Sequence, residues 1–342
     1  MAKRNYSKDT NKIEPSVMTL SFTIPTVAPN AVGSNYIDLS QVASIVNRRF
    51  YRQGINWAVA GFKFTSTSGN SGVVGIGKLP NTWVLANSWE KSMRTWTRMN
   101  NVALEEAPSI KPRFLDFKVY ADAGHHAAGF AANLMPYAIV PSVAQPGEWE
   151  PSKIVVPFGP ASPGNTPDFE LIAVGQSFPG AGASGIDAVG LIEGYAASRG
   201  LPDIRDPNVP DDARDADGST PENWMTAIFN EGTDQDSEVL ADMFENNKAP
   251  YPFENDGVNT DTQYPGGANQ LSGLQLHDLS LVTGTTIGGH THLKGGNFPC
   301  GLINITTAAD GSPGSTGLSL TLQVSLVPGM HRGYECEPMT EM

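Results

Sequence analysis

The sequence predicts an all-β protein: an antiparallel β-sandwich, specifically an eight-stranded jelly roll with long, helix-containing loops. Three observations predict it. Between Gly317 and Val327, Leu318, Leu320, Leu322, Val324 and Leu326 alternate without a break with Ser319, Thr321, Gln323 and Ser325, the period of a strand with one face in a core. Roughly eight to ten stretches of this kind recur along the chain without the regular strand–helix alternation that a parallel sheet requires. Finally, 36 glycines and 26 prolines in 342 residues favour short strands and long connections. No internal repeat supports a propeller, and the connections are long for a barrel.

Taken in order, Met1 to Lys12 carries Lys3, Arg4, Lys8 and Lys12 against Asp9, a net +3, and reads as a mobile basic arm over residues 1–14. Residues 15–330 are assigned to the β domain and 331–342 to a C-terminal tail. Met18, Leu20, Phe22 and Ile24 mark a strand ended by Pro25. Leu39, Val42, Ala43 and Val46 have helical spacing, with Asp38 or Ser40 as N-cap, and run into the basic cluster Arg48, Arg49 and Arg52. Ile55 to Thr67 reads as a long strand whose apolar phase shifts as a bulge at Gly61 would cause. Val73 to Leu79 is a glycine-rich strand, and Thr82 to Glu106 a helix with Leu85, Trp89, Met93 and Trp96 near one face. Further strands are expected at Leu115 to Ala121, Leu134 to Val140, Lys153 to Pro157, Phe169 to Gln176 and Leu274 to Val282. Asp187 to Ser198 fits strand or helix, and Ser237 to Asn246 a helix. Pro299 to Ile305 and Gly317 to Val327, joined by the loop-like 309–315, read as a closing hairpin central to its sheet.

The net charge of −13 is local. Asp203 to Asp261 holds 16 carboxylates against Arg205, Arg214 and Lys248, and the remainder is neutral. This marks an acidic, solvent-facing insertion over 203–261. Two cysteines make no disulfide framework, and Cys300 reads as a buried thiol. The charged N-terminus is unlike a signal peptide, and no apolar run approaches the length of a membrane span, so a soluble protein of a reducing compartment with no membrane insertion is expected.

Candidate chemistry is sparse. His290 and His292 share a face if extended, half of a metal site, but no carboxylate follows, so a polar loop is the preferred reading. His125 and His126 are adjacent and weaker still. Asp211, Asp212, Asp215 and Asp217 precede Gly218, but with that glycine at the sixth position of a calcium loop the twelfth, which needs a carboxylate, is Trp224. No nucleophile elbow or phosphate-binding loop occurs. A non-enzymatic protein with no cofactor and no metal is expected. The basic residues Lys3, Arg4, Lys8, Lys12, Arg48, Arg49 and Arg52 suit phosphate neutralisation without sequence reading.

The stretches Asp242 to Lys248 with Ala249-Pro250 and Pro252, Tyr264 to Asn269, Leu274 to Asp278, Asn297 to Ile303 and Pro328 to Tyr334 resemble the capsid proteins of small circular, Rep-encoding single-stranded DNA viruses, the circovirus-like group. The resemblance implies a jelly-roll subunit of which about sixty copies build an icosahedral shell around circular single-stranded DNA, bound non-specifically through a basic arm. The arm here is shorter and less arginine-rich than the family pattern. A virion location follows, with assembly inside the host cell, and the acidic region is expected on the outside, away from phosphates. The six tryptophans suit subunit anchors or core. Two alternatives stay open: a carbohydrate-binding jelly-roll module or phage appendage with exposed aromatics and calcium, and a metal-dependent enzyme using His290 and His292.

Overall fold

The computed structural model describes residues 15–66, 71–106, 109, 116–156, 167–198, 224–228, 238–239, 273–284, 289–311 and 317–342. The arm 1–14, the acidic tract 203–223 and most of 229–272 lie outside them. The described chain is mostly β. Its long strands are β1 (Thr19–Val27), β2 (Val32–Asp38), β3 (Ile55–Ser66), β4 (Ser71–Lys78), β5 (Gln275–Thr283), β6 (His290–Phe298), β7 (Leu302–Ala309) and β8 (Leu318–Leu326). One sheet has the order β1-β8-β3-β6 and the other β5-β4-β7-β2, all pairs antiparallel.

The alternation in β8 works as its period demands. Leu318, Leu320, Leu322, Val324 and Leu326 are all buried, and each contributes about 1.5–3 kcal/mol relative to exposure. β8 lies between β1 and β3, pairing Leu322 with Phe22 on one side and Phe64 on the other. Across the sandwich this layer meets Ile37, Val74, Ile76, Ile303 and Ile305 in one apolar core.

Several expectations need correction. β7 and β8 do not form a hairpin: β7 pairs with β2 and β4, in the opposite sheet. Both strands carry an apolar row, and the connection is long enough to arch between layers that lie about 10 Å apart, so each row is buried from its own sheet. Pro25 does not end β1, which runs to Val27 across a register shift. β1 is an edge strand, where a missing N–H costs no ladder bond. β2 escaped the sequence reading because Gly33, Ser34 and Asn35 dilute its pattern. The polar loop at 290–292 is instead the start of β6, paired to β3. Against β8, the bulge in β3 falls where Ser325 pairs Gly61 and Leu326 pairs Val59. Leu115 lies outside the described residues, and 116–121 is not a named strand, although Tyr120 bridges Ile172 in parallel.

The helix at 82–106 forms, as Trp83–Glu106. Asp187 to Ser198 resolves into both readings, strand Ala188–Gly190 and then helix Leu191–Ala197. Residues 331–342 do more than trail: Cys336–Pro338 pairs with β3, and Met339 is fully buried. The largest departure is the connection between β4 and β5. Its described parts carry a second apolar core in which Val84, Leu85 and Trp89 meet Phe117, Val119, Leu171 and Trp224. A small mixed sheet, Lys153–Val155, Asp168–Ile172 and Ala188–Gly190, packs there, its last pair parallel.

One buried carboxylate joins the two cores. Asp38 closes β2 and caps α1 (Leu39–Asn47), accepting from the N–H groups of Ser40 and Gln41. It also accepts from Gln53 Nε2 at 3.1 Å and from Trp149 Nε1 at 2.9 Å, the latter within the long connection. Gln53 in turn bonds both backbone groups of Val119. Beyond Gln41, Asn133 donates to Gln41 Oε1 and its own Oδ1 lies 2.8 Å from His125 Nε2. His125 Nδ1 accepts from the N–H of Ala121, which fixes the neutral ring with its proton on Nε2. His125 also stacks on Tyr36 at 4.5 Å.

Burial pushes Asp38 up to about 7 despite four donors, and drives His125 down to about 3. Between roughly pH 4 and 7 the folded chain holds a proton on Asp38 that the unfolded chain has released, so this contribution is lost as pH rises. His125 acts the other way: the unfolded imidazole takes a proton below about 6.5 that the folded one refuses, so stability falls with acidification. Asp38→Asn isolates the first effect. Its stability deficit in urea unfolding is expected to widen by about 2 kcal/mol between pH 7 and pH 5; a deficit independent of pH contradicts the assignment.

Candidate nucleic-acid interface and apolar sheet face

Helix α1 ends in Arg48, an exposed residue in the left-handed conformation at φ 54°. The chain then turns through Arg49 and Arg52 into β3. The same end receives the first described residues and the turn at 331–334. Ser16 Oγ donates to the Arg332 carbonyl at 2.9 Å, and Arg49 Nη1 lies 3.4 Å from Ser16 Oγ. Val17 bonds Asn47 and Tyr334. The Tyr51 hydroxyl also donates to the Arg332 carbonyl. Arg332, again at positive φ, donates its guanidinium to the Phe50 carbonyl. Lys118 sits 4.6 Å over the Trp149 ring and 3.2 Å from Asp116.

Thus Arg48, Arg49 and Arg52 lie together, joined by Arg332, which the sequence reading left out. The arm residues Lys3, Arg4, Lys8 and Lys12 lie outside the described residues, but their segment enters the fold at Pro15–Ser16, beside this cluster. The missed signal was topological. Arg332 is 280 positions from Arg52, and only the return of the chain along β3 brings them together.

A cavity of about 600 Å³ opens at this end, lined by Phe50, Arg52, Trp89, Trp96, Phe117 and Arg332 among others. The Phe117 ring stands 5.8 Å from Trp89 and 5.7 Å from Trp96. Asp116 is its one carboxylate, raised by burial and then lowered in part by Lys118. His331, its pKa lowered by burial and by Arg332, also lines it.

A second surface is different in kind. The outer face of the β5-β4-β7-β2 sheet has three rungs in register: Leu276, Gly77, Asn304, Tyr36; Leu279, Gly75, Thr306, Ser34; and Leu281, Val73, Ala308, Val32. None of the twelve is charged. Leu276, Leu279, Leu281 and Val32 are 63, 57, 72 and 70 % exposed. Gly75 and Gly77 leave a trough of about 500 Å³ between the leucines and Asn304. β5 inverts the usual pattern, with leucines outward and Ser280 half-buried. A register shift at His277 keeps Leu276 on the leucine face. His277 and Asp278 in turn clip β5 to β6 through the backbone of Lys294 and Gly295.

Elsewhere, His290 Nδ1 pairs with Thr65 Oγ1 at 2.9 Å, and His292 stands exposed on the same strand. Among the described residues no group of three or more His, Cys, Asp or Glu is placed to hold a metal ion. His125 and His126 are buried on α3 (Ala123–Ala128), with His126 3.1 Å from Glu170. The aspartates at 211–217 lie outside the described residues. Cys300 is buried in a turn, its thiol pushed up by desolvation. Trp57, Trp89, Trp149 and Trp224 are core residues, and no described Phe, Tyr or Trp ring falls in the exposed class. No described helix is long and apolar enough to cross a membrane. No protein-family model, curated protein or solved structure matches this chain.

Four exposed branched side chains on rungs without charged residues form an apolar patch suited to covering by a second surface. Changing Leu279 and Leu281 together to Asp is expected to abolish self-association in sedimentation. The same change alters folding stability by less than about 1 kcal/mol, since both residues are exposed on an edge strand. Unaltered association contradicts this role.

Proposed function

We propose that this chain is a viral capsid subunit: a jelly roll that assembles, in about sixty copies, into a small icosahedral shell enclosing circular single-stranded DNA non-specifically. The observation that carries the reading is the strand order. β1-β8-β3-β6 and β5-β4-β7-β2 interleave the first and last strands of the chain in both sheets, the order expected when two Greek keys fold together. Such a unit stacks beside copies of itself, and the uncharged sheet face supplies a contact free of like-charge repulsion in a chain of net −13.

The basic end completes the assignment of roles. Arg48, Arg49, Arg52 and Arg332 lie where the arm carrying Lys3, Arg4, Lys8 and Lys12 joins the fold, so one end of the subunit carries a basic cluster. Repeated around a shell, these ends form a lining that neutralises phosphates without reading bases. The acidic tract 203–261 belongs on the opposite, outer side by the same electrostatics. In this reading the protein is structural, needs no cofactor, resides in the virion and is assembled inside the host cell.

Negative-stain imaging and sedimentation of the nuclease-treated full chain test this. Uniform shells are expected; a small species at every salt and pH contradicts the reading. Deleting Met1 to Lys12 is expected to leave shells intact and lower their ratio of absorbance at 260 to 280 nm; an unchanged ratio removes the arm from packaging.

A further inference from the structure

We propose that the cavity between α2 (Trp83–Glu106), the loop before β3 and the turn at 331–332 holds one unstacked base of single-stranded nucleic acid, with the flanking phosphates on Arg52 and Arg332. This rests on the reading that nucleic acid is the cargo and adds a specific site to what is otherwise a diffuse basic surface.

The cavity's chemistry has three parts that few ligands combine. Its walls are flat and apolar: Phe50, Trp96 and Phe117 with Met93. At about 600 Å³ it lies within the range, roughly 300–1,000 Å³, that holds small planar ligands. Its rim is cationic, because the Arg52 and Arg332 side chains are exposed there and Arg48 and Arg49 continue the charge toward the arm. Its lining contains one polar group that the described residues leave unpartnered. Trp89 is 5 % exposed, and its buried indole N–H has no hydrogen-bond partner among the described residues. Asp116 adds a carboxylate acceptor to the lining, ion-paired with Lys118 outside the cavity.

A buried donor without a partner is rare in folded proteins. It is explained if a ligand carbonyl accepts from it. A planar ring with hydrogen-bonding atoms on its edge, tethered to an anionic backbone, meets all three requirements. A phosphate alone leaves the aromatic walls idle, and an apolar ligand leaves the arginines idle. The base must be unpaired and unstacked to enter, so the site selects single strands over duplex. It is tolerant of sequence, because every base offers a face for stacking.

The test compares the full-length chain, freed of copurifying nucleic acid, on a fluorescent ten-residue oligothymidylate and on the same backbone with every base replaced by an abasic analogue. Oligothymidylate is expected to bind roughly five- to a hundredfold more tightly, the range of one stacked base, and to quench tryptophan fluorescence. Thr97→Phe, which adds a ring to the cavity from an already helical position, is expected to reduce oligothymidylate binding to the abasic level and leave abasic binding unchanged. Arg332→Gln should weaken both equally. Equal affinity of the wild-type chain for the two probes overturns the proposal with no variant needed. So does a base preference that survives Thr97→Phe in a chain with normal thermal unfolding. If shells form and retain nucleic acid while the base preference is missing, the cavity assignment falls and the capsid reading stands. If neither shells nor binding to either probe is found, both fall.

Discussion

Asp38 is the constraint around which the rest is arranged. A carboxylate with no exposure costs several kcal/mol to bury, and this one is tolerated because four donors converge on it from three parts of the chain. Two come from the helix it caps, one from the loop entering β3, and one from Trp149 in the long connection. The same contacts fix where α1 begins, and through Gln53 they tie the loop that follows Arg48, Arg49 and Arg52 back to that point. They also hold the second core against the sandwich, and the aromatic cavity lies at that junction. Basic loop, cavity and sheet face are therefore set by one rigid frame.

That frame separates two kinds of surface. At one end, charge and aromatic rings coincide. Along the three outward rungs of the β5-β4-β7-β2 sheet no strand residue is charged, and leucines point outward. In β5 the leucine alternation would ordinarily be read as the core-facing row, yet the core takes Val282 and the outer face takes Leu279 and Leu281. A strand keeps such a register only where something on the outside makes it worthwhile. For a chain with 35 acidic and 22 basic side chains, rungs without charge are the part of the surface on which a second copy, the partner proposed above, meets the least electrostatic repulsion.

Local periodicity made much of the β core legible. The strands at 318–326 and 55–66, the helices at 39–47 and 83–106, and the Asp38 cap were all readable from spacing and side-chain type. Strand pairing was not, because alternation reports which face is buried and is silent about which sheet buries it. That is why β7 and β8 read as a hairpin and lie in opposite sheets. β2 and β6 were hidden by Gly33, Ser34, Gly295 and Gly296, residues that weaken a strand pattern and are tolerated once neighbours supply the ladder. At the candidate site, the sequence offered Arg48, Arg49 and Arg52 as a local cluster. Arg332, Trp89, Trp96 and Phe117 join them only through tertiary contacts between segments far apart in sequence, where no pattern within a window can reveal them.

The claim that most needs testing is the division of labour between the two surfaces. Ultraviolet cross-linking of nuclease-protected particles, followed by mass spectrometry of the nucleotide-bearing peptides, tests it directly. The account predicts nucleotide adducts on residues 48–55, 89–97 and 331–332, with none on 276–281 or 304–308. Adducts concentrated on the sheet face, with the arginine end unmodified, would contradict it.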